Sequence, residues 1–249
     1  PSKRPAATYA KSKAAAPTFT KVFAEQWLAQ VSYTWSYLRG NYAGLFRPET
    51  GQLDPNINSD FDLISLLANR EGPLDGDRTH AIKEFVLNGS LSLVVGLTYE
   101  GRSGRPINYL ASHPIYGENE AFVLPRGAGG RLPWTHTVNG KLGLNWKATK
   151  ENTVTVTADV FNMFNFAAVT AVDETLSSAD LLPVVGAGNP QQQLCLAGAN
   201  PSCKPGLRKF DEDASAIVDA SVKDYNPNYK NVTAYQPPLT VRFGVKVSF

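Results

Sequence analysis

Residues that could carry out catalysis are few in this sequence and lie far apart. The three histidines, His80, His113 and His136, are not spaced with a nucleophile and an acid as in a hydrolase. A nucleophile needs a base within hydrogen-bonding reach, and no spacing supports such a pair. We therefore predict no catalytic residue and no cofactor, and an enzyme ranks last among the functions considered.

Candidate metal ligands are equally sparse. Cys195 and Cys203 lie in a loop rich in Gln, Pro and Gly, without the clustered histidines of a zinc site. Their short separation favours a disulfide in an oxidising compartment, and two free thiols are the alternative. The acids Asp75 and Asp77 are too few for a helix–loop–helix calcium site. We predict no metal site, although a loose calcium site in an external loop stays open.

Four charged residues lie inside segments that otherwise carry apolar and small polar side chains. They are Lys141, Asp159, Arg242 and Lys246. A charge is tolerated in such a segment if its face lines a wet channel, where it can tune what passes. We therefore predict that these four side chains face a lumen.

The segments that hold these charges are predicted strands, because apolar residues recur at every second position. The alternation is close in residues 27–37, 91–99, 134–146, 153–160 and 239–249, and weaker in residues 17–23 and 79–87. Strands of about ten tilted residues are long enough to cross the apolar band of a bilayer.

Aromatic residues near the strand ends also favour a membrane setting. Trp27, Trp134 and Trp146 occupy such positions, where an indole can place its apolar body in lipid and its N–H in water. We predict an all-β fold: an antiparallel, up-and-down transmembrane β-barrel segment of about seven strands. A soluble β-sandwich is the alternative that alternation by itself allows.

The connections between these strands alternate between short and long. Outer-membrane barrels have short periplasmic turns and long extracellular loops, so the parity puts Phe249 on the periplasmic side. About seven strands cannot close such a barrel, because lipid cannot satisfy an open strand edge. We expect the remaining strands to come from upstream sequence or from another chain.

Composition excludes some functions directly. A formal net charge of +2, with 18% charged residues, gives no general case for nucleic-acid binding. No apolar stretch reaches the roughly 20 residues of a transmembrane helix. The basic N-terminal residues lack a following apolar run, so any export signal is expected upstream.

The last eleven residues resemble the terminal strand that outer-membrane proteins present to the barrel-assembly machinery. Phe243, Val245, Val247 and Phe249 are its alternating apolar positions. Such an edge strand can be paired by β-augmentation during insertion. An ordinary edge strand that ends in Phe is the alternative.

A second stretch resembles the motif found near the end of TonB-dependent receptor barrels. Its residues are Asp159, Val160, Phe161, Asn162, Met163, Phe164 and Asn165. Further stretches resemble the Oar-like subfamily of these receptors, namely residues 32–45, 77–83, 103–108 and 235–238. The chain is similar to this family from about residue 17 onward.

The resemblance implies a C-terminal barrel portion in a bacterial outer membrane. It implies a complete barrel of about 22 strands with a plug, energised through TonB by a missing N-terminal part. Residues 1–16 would be the remnant of an extracellular loop, and residues 17–249 the barrel. Expected partners are outer-membrane lipid, the assembly machinery, TonB and an unknown extracellular substrate. A passive pore or a surface adhesin on the same barrel is the alternative.

Overall fold

The structure is a computed structural model that describes residues 10–44, 46–47, 49, 51, 62, 64–89, 92–147, 152–180 and 225–248. In chain order its elements are β1 (Ala10–Ala15), β2 (Thr18–Ala24), β3 (Trp27–Gly40), α1 (Ile64–Leu67), β4 (Gly72–Pro73), β5 (His80–Gly89), β6 (Leu93–Arg102), β7 (Leu110–His113), β8 (Gly117–Phe122), β9 (Thr135–Lys147), β10 (Thr153–Phe161), β11 (Val169–Val172), β12 (Thr175–Asp180), β13 (Val232–Tyr235) and β14 (Thr240–Ser248).

The long strands form one nine-stranded sheet in the order β1-β3-β5-β6-β9-β10-β14, with β2 and β4 also paired to β3. Every pairing within it is antiparallel. The predicted all-β, up-and-down arrangement is therefore confirmed. Among the described residues β14 pairs with β10 alone, so the sheet is an open segment and not a closed barrel.

Three tight connections join the strands at one end of the sheet, as the sequence predicted. Between β2 and β3, Glu25 and Gln26 both adopt positive φ, which is the two-residue turn that matches the twist of a hairpin. The other two connections join β5 to β6 and β9 to β10. All long connections consequently leave from the opposite end.

One edge of the sheet begins earlier than the alternation indicated. β1 pairs with the second half of β3, and β2 pairs with the first half. Pro17 separates them and lacks an N–H, but its carbonyl accepts a hydrogen bond from Tyr33 N at 3.1 Å. The two strands thus act as one interrupted edge strand.

The two faces of the sheet differ in chemistry, and the register fixes which residues share a face. One face, called the apolar face below, carries exposed residues such as Val31, Leu97, Leu142, Val156 and Val245. The other, called the polar face, carries the residues between them, which are mostly hydroxyl, amide and charged. Large apolar side chains are therefore exposed along the long strands.

The long connections pack into a second region, called the loop cap below: residues 64–79, 103–132, 168–180 and 225–236, with Arg47 and Glu49. It contains a three-stranded sheet in the order β12-β7-β8, and β11 pairs with β13. Its core buries Leu66, Leu110, Phe122, Leu124 and Leu176, none more than 1% exposed. Among the described residues, no helix is long and apolar enough to cross a membrane.

Candidate functional site

Three of the four charges predicted to share a face form one ion-pair cluster. Asp159 on β10 lies opposite Lys141 on β9 and opposite Arg242 on β14. Its Oδ2 accepts a hydrogen bond from Arg242 Nη2 at 2.9 Å, and its Oδ1 lies 3.7 Å from Lys141 Nζ. One carboxylate is thus held between two cations from neighbouring strands, which leaves a positive excess on the polar face.

The fourth charge, Lys246, lies opposite Thr155 farther along β14, on the same face as Arg242. No carboxylate of the described chain lies within ion-pair distance of its ammonium. Its exposed position adds to the positive excess around Asp159.

A second cluster of the same composition lies at the other side of the polar face and was not predicted. Glu100 on β6 pairs with Lys83 Nζ at 3.5 Å and with Arg102. It borders a groove of about 410 Å³ that also involves Gln30 and Asn139. The spacing of Glu100 and Arg102 on β6 could have indicated this cluster, but the weak alternation of β5 hid Lys83.

The apolar face carries a row of rings at the end of the sheet from which the long connections leave. The Tyr33 hydroxyl is hydrogen-bonded to His80 Nδ1 at 2.7 Å, and the Tyr99 hydroxyl is hydrogen-bonded to His136 Nδ1 at 2.9 Å. Trp134 stacks between the two imidazoles at 5.9 and 6.0 Å. The row therefore runs without a break across β3, β5, β9 and β6, and each His or Tyr has a polar partner.

The motif from Asp159 to Asn165 lies at the end of β10 and is hydrogen-bonded to the residues just before β14. Asn162 and Asn165 adopt positive φ, and Asn162 Nδ2 donates to the carbonyls of Phe166 and Pro237 at 2.9 and 2.8 Å. Asn165 Oδ1 accepts from Leu239 N at 3.0 Å. The asparagines therefore fix the chain reversal beside the last strand.

The remaining residues of the motif pack around that reversal. Val160 pairs with Val241, Phe161 lies 5.3 Å from the Arg242 guanidinium, and Phe164 contacts Phe166. Met163 lies over Gly140, where no side chain intervenes.

The last strand exposes most of its apolar side chains. Phe243 is 78% exposed, Val245 72% and Val247 54%, because β14 has a neighbour on one side only among the described strands. Phe249, Cys195 and Cys203 lie outside the described residues. The assembly role of the terminal strand and the disulfide therefore stay predictions.

Buried arginines organise the loop cap. The guanidinium groups of Arg70 and Arg126 flank the ring of Phe122, at 4.7 and 4.5 Å. Arg126 pairs with Glu49, and both side chains are 1% exposed. Such pairs are stable only when hydrogen bonds satisfy the buried charges. Arg126 Nε donates to the Arg70 carbonyl at 3.0 Å, which meets part of that need.

The acids weighed as a loose calcium site serve the cap instead. Asp77 is fully buried, accepts a hydrogen bond from Leu38 N at 2.7 Å and pairs with Arg131. Asp75 pairs with Arg105 at 2.8 Å. No group of three His, Cys, Asp or Glu side chains in the described ranges could hold a metal ion.

Arg105 also joins the cap's acidic residues across a long sequence separation. It pairs with Glu174, whose Oε2 accepts hydrogen bonds from Asn108 N and Nδ2 at 2.9 and 2.8 Å. Burial raises the pKa of Glu174 above its ordinary value, even though Arg105 acts in the opposite direction. Burial alone would lower the pKa of Arg105, but Glu174 and Asp75 together raise it.

Comparison with known proteins gives one informative relative. No family model matches the chain, and no solved structure matches it. The chain is 49% identical over 239 residues to the TonB-dependent transporter Oar of Myxococcus xanthus. The match covers 92% of this chain but 21% of the relative. The chain therefore spans about a fifth of the length of the curated relative that it matches.

Proposed function

The chain is an Oar-like fragment of a TonB-dependent receptor, and from that premise we propose that it forms part of the barrel wall of an outer-membrane transporter. The observation that carries the proposal is the two-faced sheet. Its apolar face exposes Leu97, Leu142 and Val245, while its polar face holds paired charges. Water would penalise the first face, whereas lipid outside and a wet lumen inside suit both.

The dimensions of the sheet support a membrane crossing. From Trp134 to Trp146, a strand rise of about 3.3 Å per residue gives about 40 Å. A tilt of about 40° reduces this to about 30 Å along the membrane normal, slightly more than the apolar band of about 25 Å of such barrels. The ring row from Tyr33 to Tyr99 then lies at the extracellular interface, where indoles and phenols are favoured.

Under this proposal the polar face lines the lumen and the loop cap faces the exterior. Lys141, Arg242 and Lys246 outnumber Asp159, so this part of the lumen favours anionic or neutral groups. Residues 17–249 supply barrel strands, to which β1 is added by its pairing with β3. The open edges of β14 and β1/β2 pair with strands of the rest of the barrel. Substrate movement depends on TonB and on a plug outside this chain, and insertion on the barrel-assembly machinery.

The orientation of the two faces can be tested by cysteine labelling of the full-length receptor in outer membranes. Leu97 and Thr98 are neighbours on β6 that point to opposite faces. In a background with Cys195 and Cys203 changed to Ser, Thr98→Cys should react with a water-soluble maleimide and Leu97→Cys should not. Equal labelling of both positions would contradict a lipid-facing wall.

The transport step needs a separate experiment. Receptor-dependent loss of a compound from the medium should disappear when either the receptor or TonB is deleted. TonB-independent loss would favour the passive pore.

The role of the lumen charges can be tested with the same compound. Arg242→Gln and Lys246→Gln should change the apparent KM of its uptake. Lys13→Gln is the control, because Lys13 on β1 lies opposite Tyr37 on the other face of the sheet. It removes the same charge and should leave the apparent KM unchanged. Unchanged uptake in all three variants would count against a tuning role for the lumen charges.

A further inference from the structure

The groove on the polar face is built from two adjacent rows of side chains that cross the strands. The first row consists of residues that lie directly opposite one another on β3, β5, β6 and β9, namely Gln30, Phe85, Thr98 and Asn139. The next row toward the loop cap has Ser32, Lys83 and Glu100 on β3, β5 and β6. With strands about 4.8 Å apart and a rise of about 3.3 Å per residue, the floor measures about 14 Å by 7 Å. This floor and the volume of about 410 Å³ are of the size of a small-molecule site.

The floor of the groove contains the aromatic ring of Phe85. The side chain is half-buried, and none of the described residues places a ring or a cation over it. By contrast, Phe161 on the same face at the end of β10 has the guanidinium of Arg242 over its ring at 5.3 Å. An apolar ring that faces water without a stacked neighbour gains free energy when the apolar surface of a ligand covers it.

The charged residues of the groove leave one strong acceptor unused. Lys83 and Arg102 both approach the same oxygen of Glu100, Oε1. Glu100 Oε2 consequently accepts no hydrogen bond from the described residues. Lys83 and Glu100 line the groove together, so their opposite charges offset each other within one wall.

The neutral residues of the groove supply further unused hydrogen-bonding groups. The side chains of Gln30 and Ser32 make no hydrogen bond to any other described residue. Thr98 Oγ1 accepts from Asn139 Nδ2 at 3.2 Å and keeps its own O–H as a donor. Donors and acceptors are therefore mixed around the ring of Phe85, as a ligand with many hydroxyl groups requires.

We propose that this groove binds a neutral carbohydrate. The C–H groups of a sugar ring pack against Phe85, and its hydroxyl groups, each a donor and an acceptor, match the mixed groups around that ring. A charged ligand fits less well, because a group placed against Lys83 also meets Glu100. The groove lies in the half of the sheet nearer the loop cap, so a substrate from the exterior reaches it first. The inference rests on the proposed function and deepens it, since it names the substrate class of the lumen.

The test is calorimetric titration of the purified full-length receptor with four neutral trisaccharides: maltotriose, cellotriose, laminaritriose and xylotriose. Saturable binding of at least one is expected, whereas hexaethylene glycol, a neutral chain without ring hydroxyl groups, should not bind. Phe85→Ala should weaken binding by about tenfold, as truncation of an aromatic anchor does. Phe85→Tyr keeps the ring and should bind like the wild type. Gln30→Met removes the amide at similar size and should weaken binding by about threefold to tenfold.

Phe161→Ala is the matched control, because Phe161 is a ring on the same face that does not line the groove. It should bind like the wild type, and equal weakening by Phe161→Ala and Phe85→Ala would overturn the proposal. Binding of hexaethylene glycol, or of none of the trisaccharides, would also overturn it. If no trisaccharide binds while TonB-dependent uptake of another compound persists, the inference fails and the transporter stands. If a trisaccharide binds with the expected variant pattern but its loss from the medium is independent of TonB, the proposed function fails and the sugar site stands.

Discussion

The sheet and the loop cap follow opposite rules of burial. In the sheet, large apolar side chains are exposed, with Leu97 at 45% and Val245 at 72%. In the cap, Leu124 and Leu176 are fully buried together with Arg70. The cap is thus organised as a water-soluble domain with an apolar core, whereas the sheet has its apolar side chains outside.

The treatment of charge differs in the same way. Ion pairs of the sheet lie on an open face, where the side chains of Lys141 and Arg242 are 52% and 68% exposed. Those of the cap are buried, as in Arg126 with Glu49. The proposed function matches each region to its own solvent: lipid against one face of the sheet, and water around the cap. The same kind of substitution should have different consequences in the two regions.

The largest expected effect is the loss of a buried cation in the cap. Arg126→Leu removes the partner of Glu49 and leaves that carboxylate buried without compensation. We expect the cap to lose about 3–5 kcal/mol of stability. Hydrogen exchange of the full-length receptor should become faster in peptides from residues 104–132 and stay unchanged in β9.

The matched change in the sheet is Arg102→Gln. Arg102 pairs with Glu100 on the polar face, with side chains 47% and 35% exposed. A pair at this exposure contributes about 0–1 kcal/mol, so the variant should exchange like the wild type. Comparable losses in both variants would contradict the distinction between the two regions.

A charge introduced on the apolar face should have the next largest effect. Leu97 lies opposite Val86 and Gly140 near the middle of the sheet, where Arg costs about 2–4 kcal/mol at the bilayer midplane. Thr98→Arg places the same charge on the polar face beside the groove at Asn139 and should cost less than about 1 kcal/mol. Urea unfolding in lipid vesicles, followed by tryptophan fluorescence, measures both. A smaller loss for Leu97→Arg than for Thr98→Arg would reverse the assignment of faces.

Replacement of a closely packed glycine by alanine should also cost more stability in the cap than in the sheet, although the difference is smaller than for the charged substitutions. A methyl group on Gly104 in the cap would collide with the backbone carbonyl of Leu132, whose N–H donates to the Arg105 carbonyl at 3.0 Å. Gly104→Ala should cost about 1–3 kcal/mol through overpacking. At Gly140 in the sheet the obstacle is the flexible end of Met163, at 2.5 Å, so Gly140→Ala should cost less than about 1 kcal/mol. Exchange rates in the cap and vesicle unfolding of the sheet check the two values.

The sheet could be read from the sequence because its order is local. Alternation sets the face of each residue, and the short turns set the strand order, so Lys141, Asp159 and Arg242 lie opposite one another on one face. That this face lines a lumen stays a prediction. Alternation predicted a strand weakly or not at all where large apolar residues are missing or lie on both faces. β1 has no large apolar residue, and on β5 Glu84 lies among apolar residues while Phe85 lies on the polar face.

The cap could not be read in this way, since its contacts join residues that are distant in sequence. Arg126 meets Glu49, and Arg105 meets Glu174, across separations of 77 and 69 residues. No period or short motif connects such positions, and loops lack the regular repeat of a strand. These ion pairs of the cap therefore emerge only from the fold, although each of their residues is visible in the sequence.

The smallest expected effect is a pH dependence confined to the cap. Because burial raises the folded-state pKa of Glu174, the folded cap binds this proton more readily than the unfolded chain does. The contribution of this group to stability is therefore fully present below the unfolded pKa and is lost as the pH rises through the higher folded pKa. Exchange in β12, corrected for the intrinsic rate, should slow as the pH falls through that window, relative to β9 in the same sample. Glu174→Gln should abolish this pH-dependent difference in exchange between β12 and β9. If the variant keeps the same pH dependence, the dependence arises from another group.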